Sequence, residues 1–172
     1  MSDYTWAATL KSIYEKSLTA YRGGHCEVGA GLDGLDIAWL ADIGLKPIHV
    51  FDHVEDFVKY GEPDWEAFLL VAAARRDHFL YEQQGAVCAE EIRPSDLPPK
   101  TEEFDGIPWL PRIIRKARCF LNGGLCHDIM FGCSGDRAFL KKFDIPAADF
   151  LRIVWASHGD AKKIAGYLRH GR

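Results

Sequence analysis

The stretch MFGCSGDRAFLKKF, Met130 to Phe143, places Cys133, Ser134, Gly135 and the pair Asp136-Arg137 just ahead of a short amphipathic helix. A helix that begins at Gly135 or Asp136 sets Cys133 beside free N–H groups and the positive end of the helix dipole, with Arg137 nearby. Both features favour thiolate, the form that attacks electrophiles and binds metals. Asp136 opposes them with a negative charge. Cys133 and Asp136 are therefore the candidate catalytic residues, with Cys133 as nucleophile or metal ligand. The structural alternative is a helix capped by Ser134 or Asp136, with Cys133 simply packed.

A second constellation lies in VAAARRDHFLYE. Leu69, Ala72, Arg76 and Leu80 share one helical stripe, which points Arg76 inward. A buried guanidinium must find a partner. Asp52, Glu55 and Asp56 on the preceding helix are the favoured ones, and a ligand carboxylate or phosphate held bidentately is the functional alternative.

Metal chemistry has two weaker footholds. His49 and His53 stand four residues apart on one helical face, with Asp52 and Asp56 repeating that spacing alongside. Cys119, Cys126, His127 and Cys133 cluster in sequence but match no finger or ribbon spacing. Exposed histidines and packed cysteines account for both groups, so no metal site is expected. The sequence names no cofactor: it holds no phosphate-binding Gly-x-x-x-x-Gly-Lys loop, no Gly-x-Ser-x-Gly elbow and no His-Glu-x-x-His.

These residues need elements to position them, and the apolar spacing is helical nearly throughout, with no convincing alternating strand. WAATLKSIYEKSLTAYRGG reads as a helix stopped by paired glycines, and GLDGLDIAWLADIG as a short one begun at an Asp. Pro47 opens a helix that Gly61 closes. The longest helix runs from Asp64 to Gly85. RPSDLPPKTEEFDG, with its three prolines, breaks the pattern as an extended connector. Beyond it IPWLPRIIRKARCFLNGG forms a basic amphipathic helix begun at Pro108 or Pro111, followed by GDRAFLKKF, by IPAADFLRIVWASHG opened at Pro146, and by DAKKIAGYLRHGR. The fold class is all-α: a compact single-domain helical bundle of about eight helices, with halves 1–85 and 108–172 around a Pro-rich connector, 86–107.

The chain of 172 residues is long enough for one domain with a real core, and 48% hydrophobic with 27% charged residues places it among globular proteins. No targeting segment and no membrane span are expected, which points to the cytosol. The five cysteines form no CxxC pair and are expected to be free thiols there. A net charge of −4 argues against nucleic acid as a partner, yet the charge is uneven. Residues 1–85 carry 7 basic against 14 acidic side chains, a net of −7, and residues 86–172 carry 14 against 11, a net of +3. An anionic ligand on the second half fits that asymmetry. WLPRIIRKAR lacks the aromatic interleaving on which single strands stack.

The strings FDHVEDFV, GEPDWEAFLLVAAARRDHF, GIPWLPRIIRKA, FGCSGDRAFLKKFDI and DFLRIVWASHGD, in this order, resemble a bacterial domain-of-unknown-function family, number 5069. RRD, WLPRIIRKA and the Cys-x-Gly-Asp-Arg run are the most specific parts. The resemblance implies a compact bacterial domain, carries no activity, and directs attention to Arg75, Arg76, Asp77, Trp109, Arg112, Cys133, Gly135, Asp136 and Arg137. The chain departs from the family at His49, His53, Cys119, Cys126 and His127, so a metal site built on them would not be a family property. Together these readings predict one polar pocket where the basic helix and the Cys133 turn meet the ARRD helix. Arg76, Asp77, Trp109, Arg112 and Arg137 would bind a small anionic molecule there, with Cys133 and Asp136 doing the chemistry. The alternative is a non-catalytic interaction or regulatory module that docks an acidic protein through its basic second half. Oligomeric state is left open, a homo-oligomer included.

Overall fold

The computed structural model describes residues 5–170, and among them it shows an all-α protein of eight helices with one two-residue-stranded hairpin. The helices are α1 (Trp6–Arg22), α2 (Gly34–Asp42), α3 (Pro47–Tyr60), α4 (Trp65–Asp77), α5 (Leu110–Asn122), α6 (Ser134–Lys141), α7 (Ala147–Ala156) and α8 (Ala161–His170). The punctuation read from sequence sets most of these ends. Asp33 caps α2 by accepting from the amides of Leu35 and Asp36, Pro47 opens α3, and Gly61 closes it in the left-handed conformation at φ 74°.

Two expectations are corrected locally. The long helix does not run unbroken to Gly85: α4 ends at Asp77 and a π-helical turn spans His78–Glu82. The connector is not featureless either. It holds a 3-10 turn at Pro94–Asp96 and an antiparallel hairpin of β1 (Glu103–Phe104) and β2 (Ile107–Pro108). Asp105 and Gly106 make its two-residue loop, both at positive φ, the backbone an Asp-Gly turn favours.

The chain divides into two compact units, the first ending at Arg76 and the second beginning at Asp77. Segment 86–107 is tied into the second unit. Ile92 donates its amide to Gly124 O at 2.8 Å and accepts from Cys126 N at 3.3 Å.

In the first unit α1 packs on α3, and Leu10, Ile13, Leu40, Val50, Val54 and Phe68 form the core. His49 and His53 are buried in it, 6% and 3% exposed, where exposed histidines were expected. Their spacing puts both on the inward face of α3, and each is satisfied by backbone. Lys46 N donates to His49 Nδ1 at 3.2 Å, and His53 Nδ1 lies 2.8 Å from His49 O. The lone pair on His49 Nδ1 requires the neutral ring. Burial first, and then the positive charges of Arg75 and Lys46 with His53, push its pKa down to about 3.

In the second unit α5 is central, packing against α7 and α8, with Ile113, Phe120, Phe150, Leu151 and Ile164 in the interior. No described helix is long and apolar enough to cross a membrane.

His49 yields a pH prediction. Its folded-state pKa lies below the unfolded value near 6.5, so an unfolded chain takes up a proton that the folded chain refuses. The stability it supplies is complete above pH 6.5 and is lost as pH falls toward 3. Urea midpoints measured across that interval should decline with falling pH, and His49→Gln should flatten the decline.

Candidate functional site

The N-terminal turn of α5 builds one wall of the site. Trp109 precedes it with a left-handed backbone at φ 72°, rare for a large side chain, and is held by hydrogen bonds from its amide to Glu102 O and from Ile113 N to its carbonyl, both 3.0 Å. That conformation lays the indole over Gly135. A Cβ added there would come within 2.9 Å of Trp109 Cζ2, so only glycine lets the ring approach. Arg112 lies one turn into α5. Its guanidinium sits 5.8 Å from the Trp109 ring centroid, and Nη1 donates to Pro98 O at 2.7 Å.

Lys116 follows on the next turn, and it is buried, 4% exposed. It lies on the stripe that carries Ile113, Ala117 and Phe120 into the core, so helical periodicity draws an ammonium inside. Asp136, fully buried in the first turn of α6, receives it: Nζ of Lys116 pairs with Oδ2. The carboxylate is further fixed by Trp109 Nε1–H to Oδ1 and by Gly132 N–H to Oδ2, each 3.0 Å. Three donors from three segments thus hold one carboxylate, which is what a buried charge requires.

The same Nζ also donates to Cys133 Sγ at 3.3 Å. Cys133 is the residue just before α6, and its side chain caps no amide of that helix. The thiol is therefore turned to Lys116. A cavity of about 380 Å³ opens beside it, lined on its polar side by Lys100, Arg112, Lys116, Cys133 and Ser134. Leu97, Trp109, Ile129 and Met130 supply an apolar side. Asp128 also lines this space, with His127 Nε2 3.3 Å from its carboxylate. Three cations, one acid, several apolar side chains and a half-buried thiol in one lining suit a small anion that carries an apolar body.

Of the residues singled out from sequence, Cys133, Trp109 and Arg112 line this cavity together. Asp136 stands behind it as the anchor of Lys116 and Trp109 rather than at its surface. Arg137 is buried, with Nη1 donating to the Gly132 carbonyl at 2.8 Å, so it braces the turn. Arg76, in the first unit, points inward as the stripe required, its guanidinium 5.1 Å from the Trp6 ring centroid. Neither Arg76 nor Asp77 lines the cavity, whose walls come from the second unit alone. Lys116 is not among the residues that the sequence singles out, because reading IPWLPRIIRKARCFLNGG as a basic amphipathic helix leaves its cations unassigned to a face. The signal that finds it is its place among apolar residues three and four positions away. Cys119 and Cys126 are buried, and burial pushes the Cys119 thiol pKa up. Among the described residues no group of three or more His, Cys, Asp or Glu is arranged to hold a metal ion.

No family model matches this chain, and neither a curated protein nor a solved structure does.

The buried pair makes a stability prediction. Asp136→Ala strands the Lys116 ammonium and should cost about 3–5 kcal/mol, whereas replacing both partners together, Lys116→Met with Asp136→Leu, should recover most of the loss. Urea unfolding of the two variants and the parent measures both.

Proposed function

We propose that the second unit is a small-molecule site in which Cys133 acts as the nucleophile on an anionic substrate. One observation carries the reading: a buried lysine, fixed by a buried aspartate, donates to the thiol sulfur in the wall of a cation-lined cavity. In this reading Arg112, held beside the Trp109 ring and bonded to Pro98 O, is the anion clamp, and Lys100 adds charge to the lining. Lys116 supports negative charge on sulfur before attack, since a thiolate accepts its N–H more strongly than a thiol does. Asp136 keeps that N–H aimed. The ring of Trp109 and the side chains of Leu97, Ile129 and Met130 would hold the substrate's apolar part.

The family resemblance, the bacterial origin it implies and the cytosolic location belong to the same proposal. The interaction-module alternative is weakened by where the charges go. Lys116 faces the interior rather than a partner.

Brief labelling of the native, reduced protein with iodoacetamide, resolved by peptide, tests the reading. Cys133 should be modified ahead of the exposed Cys26 and well ahead of Cys119 and Cys126, and inorganic phosphate should protect Cys133 while leaving Cys26 unaffected. Labelling of Cys133 only after denaturation would remove the nucleophile. Equal labelling with and without phosphate would remove the anion.

A further inference from the structure

The contact between Cys133 and Lys116 has a second chemistry that needs no anionic substrate. We propose that the pair is a peroxide-driven modification site, at which Lys116 captures oxidised Cys133 as a sulfenamide. The observations are geometric. Nζ donates directly to Sγ at 3.3 Å, Cys133 lines the cavity, and Lys116 is buried, where water competes poorly for the sulfur. Asp136 Oδ2, paired to the same Nζ, is a carboxylate already placed to take its proton. The other thiols are set differently. Cys88 Sγ–H donates to Glu90 O at 3.3 Å and Cys26 to Tyr21 O at 3.9 Å, and neither contact offers an amine.

The first step is attack of the Cys133 thiolate on one oxygen of a hydroperoxide. The O–O bond breaks, an S–O bond forms, and the leaving oxygen departs as water after taking a proton. Sulfur is oxidised by one electron pair and the peroxide is reduced by the same pair. Lys116 then gives a proton to Asp136, and its lone pair attacks Sγ. An S–N bond forms, the S–O bond breaks, and hydroxide leaves as a second water. In sum, thiol, ammonium and hydrogen peroxide become sulfenamide, two waters and a proton. The product joins α5 to the residue preceding α6, closes the cavity's nucleophile and spares it from irreversible sulfinic acid. A thiol reductant reverses it by attack on sulfur.

The site is shared with the proposed function, but hydrogen peroxide is neutral, so a failure of phosphate protection leaves this chemistry standing and a failure here leaves the anion reading standing. The test treats native, reduced protein with hydrogen peroxide, digests it without reductant and searches by mass spectrometry for the peptide holding Lys116 joined to the peptide holding Cys133. The expected product is lighter by two hydrogens than the separate peptides, is assigned to Cys133 by fragmentation, and vanishes after dithiothreitol. Lys116→Arg, which keeps the charge but not the amine, should abolish the link and raise the sulfinic acid at Cys133 several-fold at equal dose. Cys133→Ser should abolish the link and leave Lys116 unmodified. In the unmutated protein, Cys133 found as sulfinic acid or in a disulfide with Lys116 unlinked, or found unoxidised at a dose that oxidises Cys26, would overturn the proposal.

Discussion

A charge pair taken out of water organises the second unit. Lys116 and Asp136 are each almost entirely removed from solvent, and ions so placed are stable only when their remaining bonding capacity is filled. Filling it fixes everything nearby. The second carboxylate oxygen demands the indole N–H of Trp109, which demands a left-handed backbone at the start of α5 and no side chain at Gly135. The remaining capacity of the first demands Gly132 N–H, which folds the turn ahead of α6 back onto its own first turn. A second hydrogen of the ammonium goes to the Cys133 sulfur. A replacement by packed apolar residues would satisfy the core equally well but would leave nothing to hold the thiol.

The same pair explains why the cavity's charge survives so close to a core. Asp136 neutralises Lys116, so the charges left at the cavity lining are Arg112 and Lys100 against Asp128, and Arg112 donates to Pro98 O, a carbonyl that carries no net charge. A carbonyl orients a guanidinium without neutralising it. The first unit uses its buried polar groups in the opposite way. His49 is kept uncharged by burial, and its Nδ1 accepts a backbone N–H.

The helices were legible from sequence wherever proline and glycine punctuate them, as at Pro47 and Gly61 or at Pro146, because those residues act through the local backbone alone. Residue type singles out Cys133 and Arg112, which the fold brings to one cavity, and the helical stripe marks Arg76 as an inward guanidinium. Two misses had signals that were present. The Asp105-Gly106 pair marks the hairpin, and the stripe of Ile113, Lys116, Ala117 and Phe120 marks the buried lysine. Other features carry no local signal. The left-handed Trp109 exists because Asp136, distant in sequence, needs its N–H, and Asp136 left the surface because Lys116 did. The π-helical turn after Asp77 is likewise invisible to a period read as uniform.

Relative alkylation by iodoacetate and iodoacetamide measures directly whether Lys116 and Arg112 give the Cys133 thiol a cationic setting. The two reagents differ by one negative charge at nearly the same size. At low ionic strength the iodoacetate-to-iodoacetamide rate ratio at Cys133 should exceed several-fold the ratio for the same cysteine in the denatured chain. Added salt should reduce that excess as the charges are screened. A native ratio equal to or below the denatured one, unmoved by salt, would contradict the account.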